Sequence, residues 1–144
     1  MDASKFAERL AELISENETT AKELGEKIGC GNATISHYLT GRYLPNLDMA
    51  VRLADYFNCS VDYLLGIKND TDKQFKECPP FSEQFRKVCK DSKTSRYKLQ
   101  KLTGISESVM RYWAQGKTKP SIASIVSIAK EIDCTIDYLL GRES

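Results

Sequence analysis

Histidine occurs once in the 144 residues, at His37, so no His-based metal or catalytic cluster can be assembled. No CxxC pair occurs and the five cysteines are odd in number, which supports neither a zinc site nor a disulfide framework. A reduced, cytoplasmic setting is expected instead. No apolar run has the length of a membrane span and no signal peptide is recognisable, so no membrane partner is expected. A Gly-rich phosphate loop is absent. Strand-forming runs are absent too, which leaves nothing from which to build the β-rich catalytic domain of a Ser-Lys self-cleaving peptidase. An enzyme is therefore the weakest of the function classes, and no catalytic residue, cofactor or metal is expected. The net charge of +1 is nearly balanced and by itself excludes nothing.

What is present centres on residues 29–41, Gly-Cys-Gly-Asn-Ala-Thr-Ile-Ser-His-Tyr-Leu-Thr-Gly. Gly29 suits a tight turn because it takes φ > 0 without a Cβ clash. Asn32 and Thr34 suit a helix start. Ile35, Tyr38 and Leu39 fall at i, i+3 and i+4 and give the short helix one apolar face, away from Asn32, Ala33, Thr34 and His37. Upstream, Thr20 and Glu23 have the capping-box spacing that opens a helix running to Ile28. Two short helices joined by a Gly turn are a helix-turn-helix signature, whose second helix can enter a DNA major groove.

The stretch occurs twice. A shift of 75 residues carries Phe6 to Phe81, Leu24 to Leu99, Gly29 to Gly104, Gly41 to Gly116, Pro45 to Pro120, and residues 59–66 to residues 134–141 without a gap. Each copy has apolar residues enough for its own core, which marks a duplicated domain rather than a solenoid unit. The expected organisation is a first domain over residues 1–66, a linker over 67–80 and a second domain over 81–144. Dividing the charge this way is informative. Residues 1–66 hold six Lys and Arg against ten Asp and Glu; residues 81–144 hold twelve against seven. The second domain has the basic footprint of a nucleic-acid binder and the first does not.

Periodicity predicts five helices per domain and no strand, an all-α fold. They cover 2–16, 20–28, the short helix ending near Leu39, 47–57 and 61–65 in the first copy. In the second they cover 81–90, 95–103, 107–115, 122–132 and 136–140. Ser60 and Ser106 are expected caps; Ile35, Tyr38, Met110 and Trp113 are expected to point inward. Cys59 and Cys134 occupy one repeated position beside an apolar run, and Cys30 and Cys89 align with Ile105 and Ile14, so all four read as small core residues. Asp62 and Asp137 read as helix N-terminal charges. The linker is polar and closed by Pro79-Pro80; extended it reaches roughly 46 Å, relaxed roughly 20 Å. Phe75 is its one candidate for docking on a domain.

Leu24-x4-Gly29, the run from Ile35 to Gly41, Pro45 and Val61-Asp62-Tyr63-Leu64-Leu65-Gly66, each with its partner in the second copy, resemble the Cro/cI (XRE) family of repressors. The resemblance covers nearly the whole chain, once per domain. It implies two tandem lambda-repressor-like domains that dock their third helix in the major groove, usually as a symmetric pair. By the family's pattern the base-reading positions are Asn32, Ala33, Thr34 and His37, then Glu107, Ser108, Val109 and Tyr112. The DNA-backbone positions are Thr20, Ala21, Arg42 and Tyr43, then Ser95, Arg96, Lys117 and Lys119. Two residues depart from it. Ala21 stands where a glutamine is common, and Glu107 puts a carboxylate at the reading tip.

Each assignment has a plainer alternative. Asn32 could be a cap, His37 an ordinary surface residue, the second domain's lysines a solvated face, and the Val-Asp-Tyr-Leu-Leu segments a core or a dimer surface. The leading expectation is a sequence-specific regulator of double-stranded DNA, a repressor acting by occlusion. The alternative is a protein-interaction module in which the acidic first domain covers a protein partner, as an antitoxin covers a toxin, or dimerises.

Overall fold

Seven of the helices begin where a short polar side chain accepts a backbone N–H. In the computed structural model, which describes residues 3–68 and 75–143, Thr20 accepts from the N–H of Glu23 at 3.1 Å, and Asn46 from that of Met49 at 2.8 Å. Ser60, Ser95, Ser106, Ser121 and Thr135 do the same for the helices that follow them. Each cap is worth about 1 kcal/mol. The result is α1 (Ala3–Glu16), α2 (Ala21–Ile28), α3 (Asn32–Leu39), α4 (Leu47–Phe57) and α5 (Val61–Leu64). After them come α6 (Phe81–Asp91), α7 (Arg96–Thr103), α8 (Glu107–Ala114), α9 (Ile122–Ile132) and α10 (Ile136–Leu140). Among the described residues there is no strand. The fold is all-α, in two units, Met1–Lys73 and Gln74–Ser144.

In the first unit Phe6, Leu10, Leu24, Ile35, Leu53, Leu64 and Leu65 are wholly buried. The ring of Tyr38 meets that of Phe6 edge-on, with centroids 5.5 Å apart, and this seats α3 on α1. The second unit repeats the contact. Trp113 of α8 lies edge-on to Phe81 at 6.3 Å and to Phe85 at 5.7 Å. A second repeated tie closes each unit. The Arg9 guanidinium donates to the Tyr63 carbonyl at 2.7 Å and stacks on the Tyr63 ring; at the same place in the second unit the Gln84 amide donates to the Tyr138 carbonyl at 3.0 Å.

The turn between α2 and α3 explains two glycines. Gly29 has φ 80°, and the N–H groups of Gly29 and Cys30 both reach the Gly25 carbonyl, at 3.0 and 2.8 Å. Gly25 is helical but faces the returning chain, where a Cβ would stand 2.9 Å from the Cys30 carbonyl oxygen.

Several sequence expectations are corrected. Asn32 is the first residue of α3 and not its cap; Gly31 holds that position and no side chain caps this helix. Cys59 is buried, but Cys30, Cys89 and Cys134 are only half-buried, at the rim of the cores. Burial raises the thiol pKa of Cys30 and Cys89, opposed by Arg52 and Arg96 respectively, which keeps both protonated at neutral pH. Asp137 sits in the first turn of α10, but it is also wholly buried and ion-paired with the equally buried Arg142. Of the expected linker over residues 67–80, residues 69–74 lie outside the described residues, and the described ends are both fastened to a unit. The N–H groups of Ile67 and Lys68 bond to the Asp62 carbonyl. At the other end Phe75 lies under the Arg142 guanidinium, 4.5 Å from ring centroid to Cζ, and the Lys76 N–H donates to the Arg142 carbonyl at 2.9 Å.

Two expected outcomes follow. Arg142→Ala leaves the Asp137 carboxylate buried without its cation, a loss of about 3 kcal/mol or more. Trp113 is the only tryptophan and sits in the same core, so its fluorescence in urea reports this directly; an unmoved midpoint would show the pair to be dispensable. Gly25→Ala gains about 1 kcal/mol of helix propensity yet forces the α2–α3 turn outward. We expect a net loss of about 1–2 kcal/mol by circular dichroism, and a net gain would contradict the close approach.

Candidate nucleic-acid interface

Because Ile35 and Tyr38 point into the core, the start and the opposite side of α3 are left toward solvent. Asn32 and Ala33 are exposed at its start, and Thr34 and His37 are half-exposed. Among the described residues no hydrogen bond fastens the Asn32 side chain, so its amide can turn to meet a planar base edge. His37 is held. Its Nδ1 lies 2.8 Å from the Tyr43 hydroxyl, with the two rings edge-on at 5.7 Å, and Tyr43 in turn packs edge-on against Tyr38. Thus a proposed base reader and a proposed backbone contact form one unit, braced from the core. Arg42 is exposed beside them. Thr20 has its hydroxyl engaged as the cap of α2, and Ala21 is half-buried with no polar group to offer.

The second unit arranges the same positions differently. The tip of α8 is closed by its cap and by side chains of α7. Ser106 caps it, and the Gln100 amide oxygen accepts from the Glu107 N–H at 2.5 Å. The Glu107 carboxylate lies 3.7 Å from the Nε of Arg96, so these two residues partly neutralise each other. Ser108, Val109 and Tyr112 are exposed, Val109 at 42% and Tyr112 at 41%. Lys117 lies 5.6 Å from the centre of the Tyr112 ring and Arg111 5.9 Å from it, so a cationic pair flanks an exposed aromatic face. Ser95 is engaged as the cap of α7, while Lys119 is exposed.

Sequence reading passed over Arg111 and Tyr97. The latter is 62% exposed with the Lys101 ammonium 4.7 Å from its ring centre. The signal for them lay in comparing the copies position by position. Glu23 becomes Lys98, Glu26 becomes Lys101 and Ser36 becomes Arg111, so part of the change in charge falls on the helix-turn-helix itself. Among the described residues no group of three or more His, Cys, Asp or Glu is placed to hold a metal ion. No described helix is long and apolar enough to cross a membrane.

Comparison with known proteins agrees with this geometry. The helix-turn-helix family profile matches residues 10–64, and that of the Cro/C1-type HTH DNA-binding domain matches residues 84–144. The chain is 34% identical over 82 residues to the uncharacterised HTH-type transcriptional regulator YobD of Bacillus subtilis, covering 51% of this chain and 73% of that protein. It is 37% identical over 72 residues to the HTH-type transcriptional regulator ImmR of the same organism, covering 46% of this chain and 57% of that one. No solved structure gives a significant match. Two helix-turn-helix units built on one plan, each matched by its own profile, place the chain in the Cro/C1-type (XRE) family: it is a DNA-binding transcriptional regulator with two tandem HTH domains, from a family that is not enzymatic.

Proposed function

We propose that the protein is a cytoplasmic repressor that sets α3 and α8 in the major groove of one operator and blocks it by occupancy. The observation that carries this reading is the outward set on α3, Asn32 and Ala33 exposed beside Thr34 and His37, above an aromatic seat that fixes the helix. Asn32 offers the bidentate pairing that suits an adenine edge, and the methyls of Ala33 and Thr34 suit thymine. In the second unit Val109 offers an apolar contact, Ser108 a hydroxyl and Tyr112 a ring, while Glu107 accepts from a cytosine amino group once Arg96 turns to a phosphate. Arg42, Tyr43, Lys117, Lys119, Ser95 and Thr20 face the backbone, which supplies affinity rather than sequence preference.

Seven peptide links join Lys68 to Phe75 and allow at most about 25 Å between those two anchors. The half-site spacing of about 34 Å separates the reading helices and not the anchors, so this reach does not forbid both helices from engaging adjacent half-sites. A short tether raises the effective concentration of the second reader once the first is bound, so neither needs to bind tightly alone. The acidic balance of residues 1–66 favours a second reading, in which the first unit covers a protein partner; a stoichiometric partner co-purifying with the chain would support it.

Lys117→Gln with Lys119→Gln should lower the slope of log affinity against log salt by about 2. An unchanged slope would remove both lysines from the interface. Asn32→Ala should abolish discrimination at one base pair and leave the others intact; a uniform weakening at every position would make Asn32 structural only.

A further inference from the structure

The contacts proposed above leave the outer side of α6 unused. Where it meets the start of α7 there is a cavity of about 510 Å³, within the size range of small-ligand sites. Arg86, Lys90, Lys93 and Arg96 line it together with Phe85 and Cys89, and no carboxylate is among its lining residues. The α7 helix, eight residues long and capped by Ser95, begins at the cavity's edge, so its N-terminal dipole adds to the four cations, of which Arg96 is partly neutralised by Glu107 at 3.7 Å.

The first unit is an internal control. A shift of 75 residues places Ala11, Ser15, Glu18 and Ala21 where the second unit has Arg86, Lys90, Lys93 and Arg96. The same α1–α2 corner therefore folds with no cation and one anion. Packing does not require the four charges. These four cations border one cavity, while Lys87, the remaining cation of α6, lies outside it.

We propose that this corner is a phosphate site unique to the second unit. The ligand is a phosphate group held by Arg86, Lys90, Lys93 and Arg96. Such a group has two sources. One is the DNA backbone flanking the base pairs under α8, and this source rests on the function proposed above. The other is a free phosphate ester or pyrophosphate, which would occupy the same cations and compete with DNA. In the first case the footprint is lopsided, with extra phosphate contacts beside one half-site only.

The test compares the full-length chain with an Arg86→Gln, Lys90→Gln double variant. Both positions are exposed, and the Trp113 urea midpoint checks that the fold is kept. If the site holds DNA, the salt slope of binding falls by about 2 and the preferred sequence is unchanged. Ethylation interference is then lost at phosphates flanking the second half-site, and an Arg86→Lys, Lys90→Arg variant restores the slope. If the site holds a free anion, inorganic pyrophosphate binds the intact chain in calorimetry, fails to bind the Gln variant and displaces duplex. An unchanged slope together with no pyrophosphate binding overturns the proposal. Should the chain bind no duplex at any salt, the DNA function fails separately. The pyrophosphate arm then decides alone, with variant-sensitive binding supporting the site and silence refuting it.

Discussion

Edge-on aromatic packing holds each recognition-type helix in place. Such a helix has eight residues, too few to persist alone in water. In the first unit it is held by the edge-on packing of Tyr38 against Phe6, and in the second by that of Trp113 against Phe81 and Phe85. Turning one large ring inward decides what is left outside. With Ile35 and Tyr38 committed to the core, the helical period leaves Asn32, Ala33, Thr34 and His37 for solvent or a ligand. The same constraint acting through Met110 and Trp113 leaves Ser108, Val109 and Tyr112. The brace reaches the surface in the first unit, since Tyr43 packs on Tyr38 and holds His37 by its hydroxyl.

The two units share this frame and differ in what it presents. The tip of α3 is open, with Gly31 as its cap and short side chains at its start. The tip of α8 is closed by Ser106, Gln100 and the Arg96–Glu107 pair. Charge runs the other way, poor over residues 1–66 and rich over residues 81–144. On our reading the first unit contributes sequence preference and the second contributes affinity, and the short join between them lets each compensate for the other. Duplication makes the division possible because the second core keeps the fold whatever the surface becomes.

Much of the fold was legible because the repeat supplied every pattern twice. The helix periods, the Ser and Thr caps and the inward aromatic positions need only local spacing, and the structure matches them closely. The exceptions are contacts that local spacing cannot encode. No local spacing marks the charged Arg142 for burial, yet the left-handed Gly141 turns the chain back and buries it against Asp137. Phe75 could be named as a docking residue, but its partner is that same Arg142. Asn32 has the chemistry of a cap, and only the geometry of the turn assigns that place to Gly31 instead. The partnership of Arg96 with Glu107 joins two helices, so the carboxylate at the reading tip looked unaccompanied in the sequence.

The central claim is that both exposed helices read one stretch of DNA. It is tested most directly by selecting bound duplexes from a random pool with the intact chain at moderate salt and sequencing them. We expect two different enriched half-motifs at a fixed spacing, one for α3 and one for α8, their relative orientation showing whether the units lie as a direct or an inverted pair. A single half-motif, or a palindrome of one, would contradict the claim by leaving one unit to dimerisation or a protein partner. No enrichment at all would remove sequence reading from both.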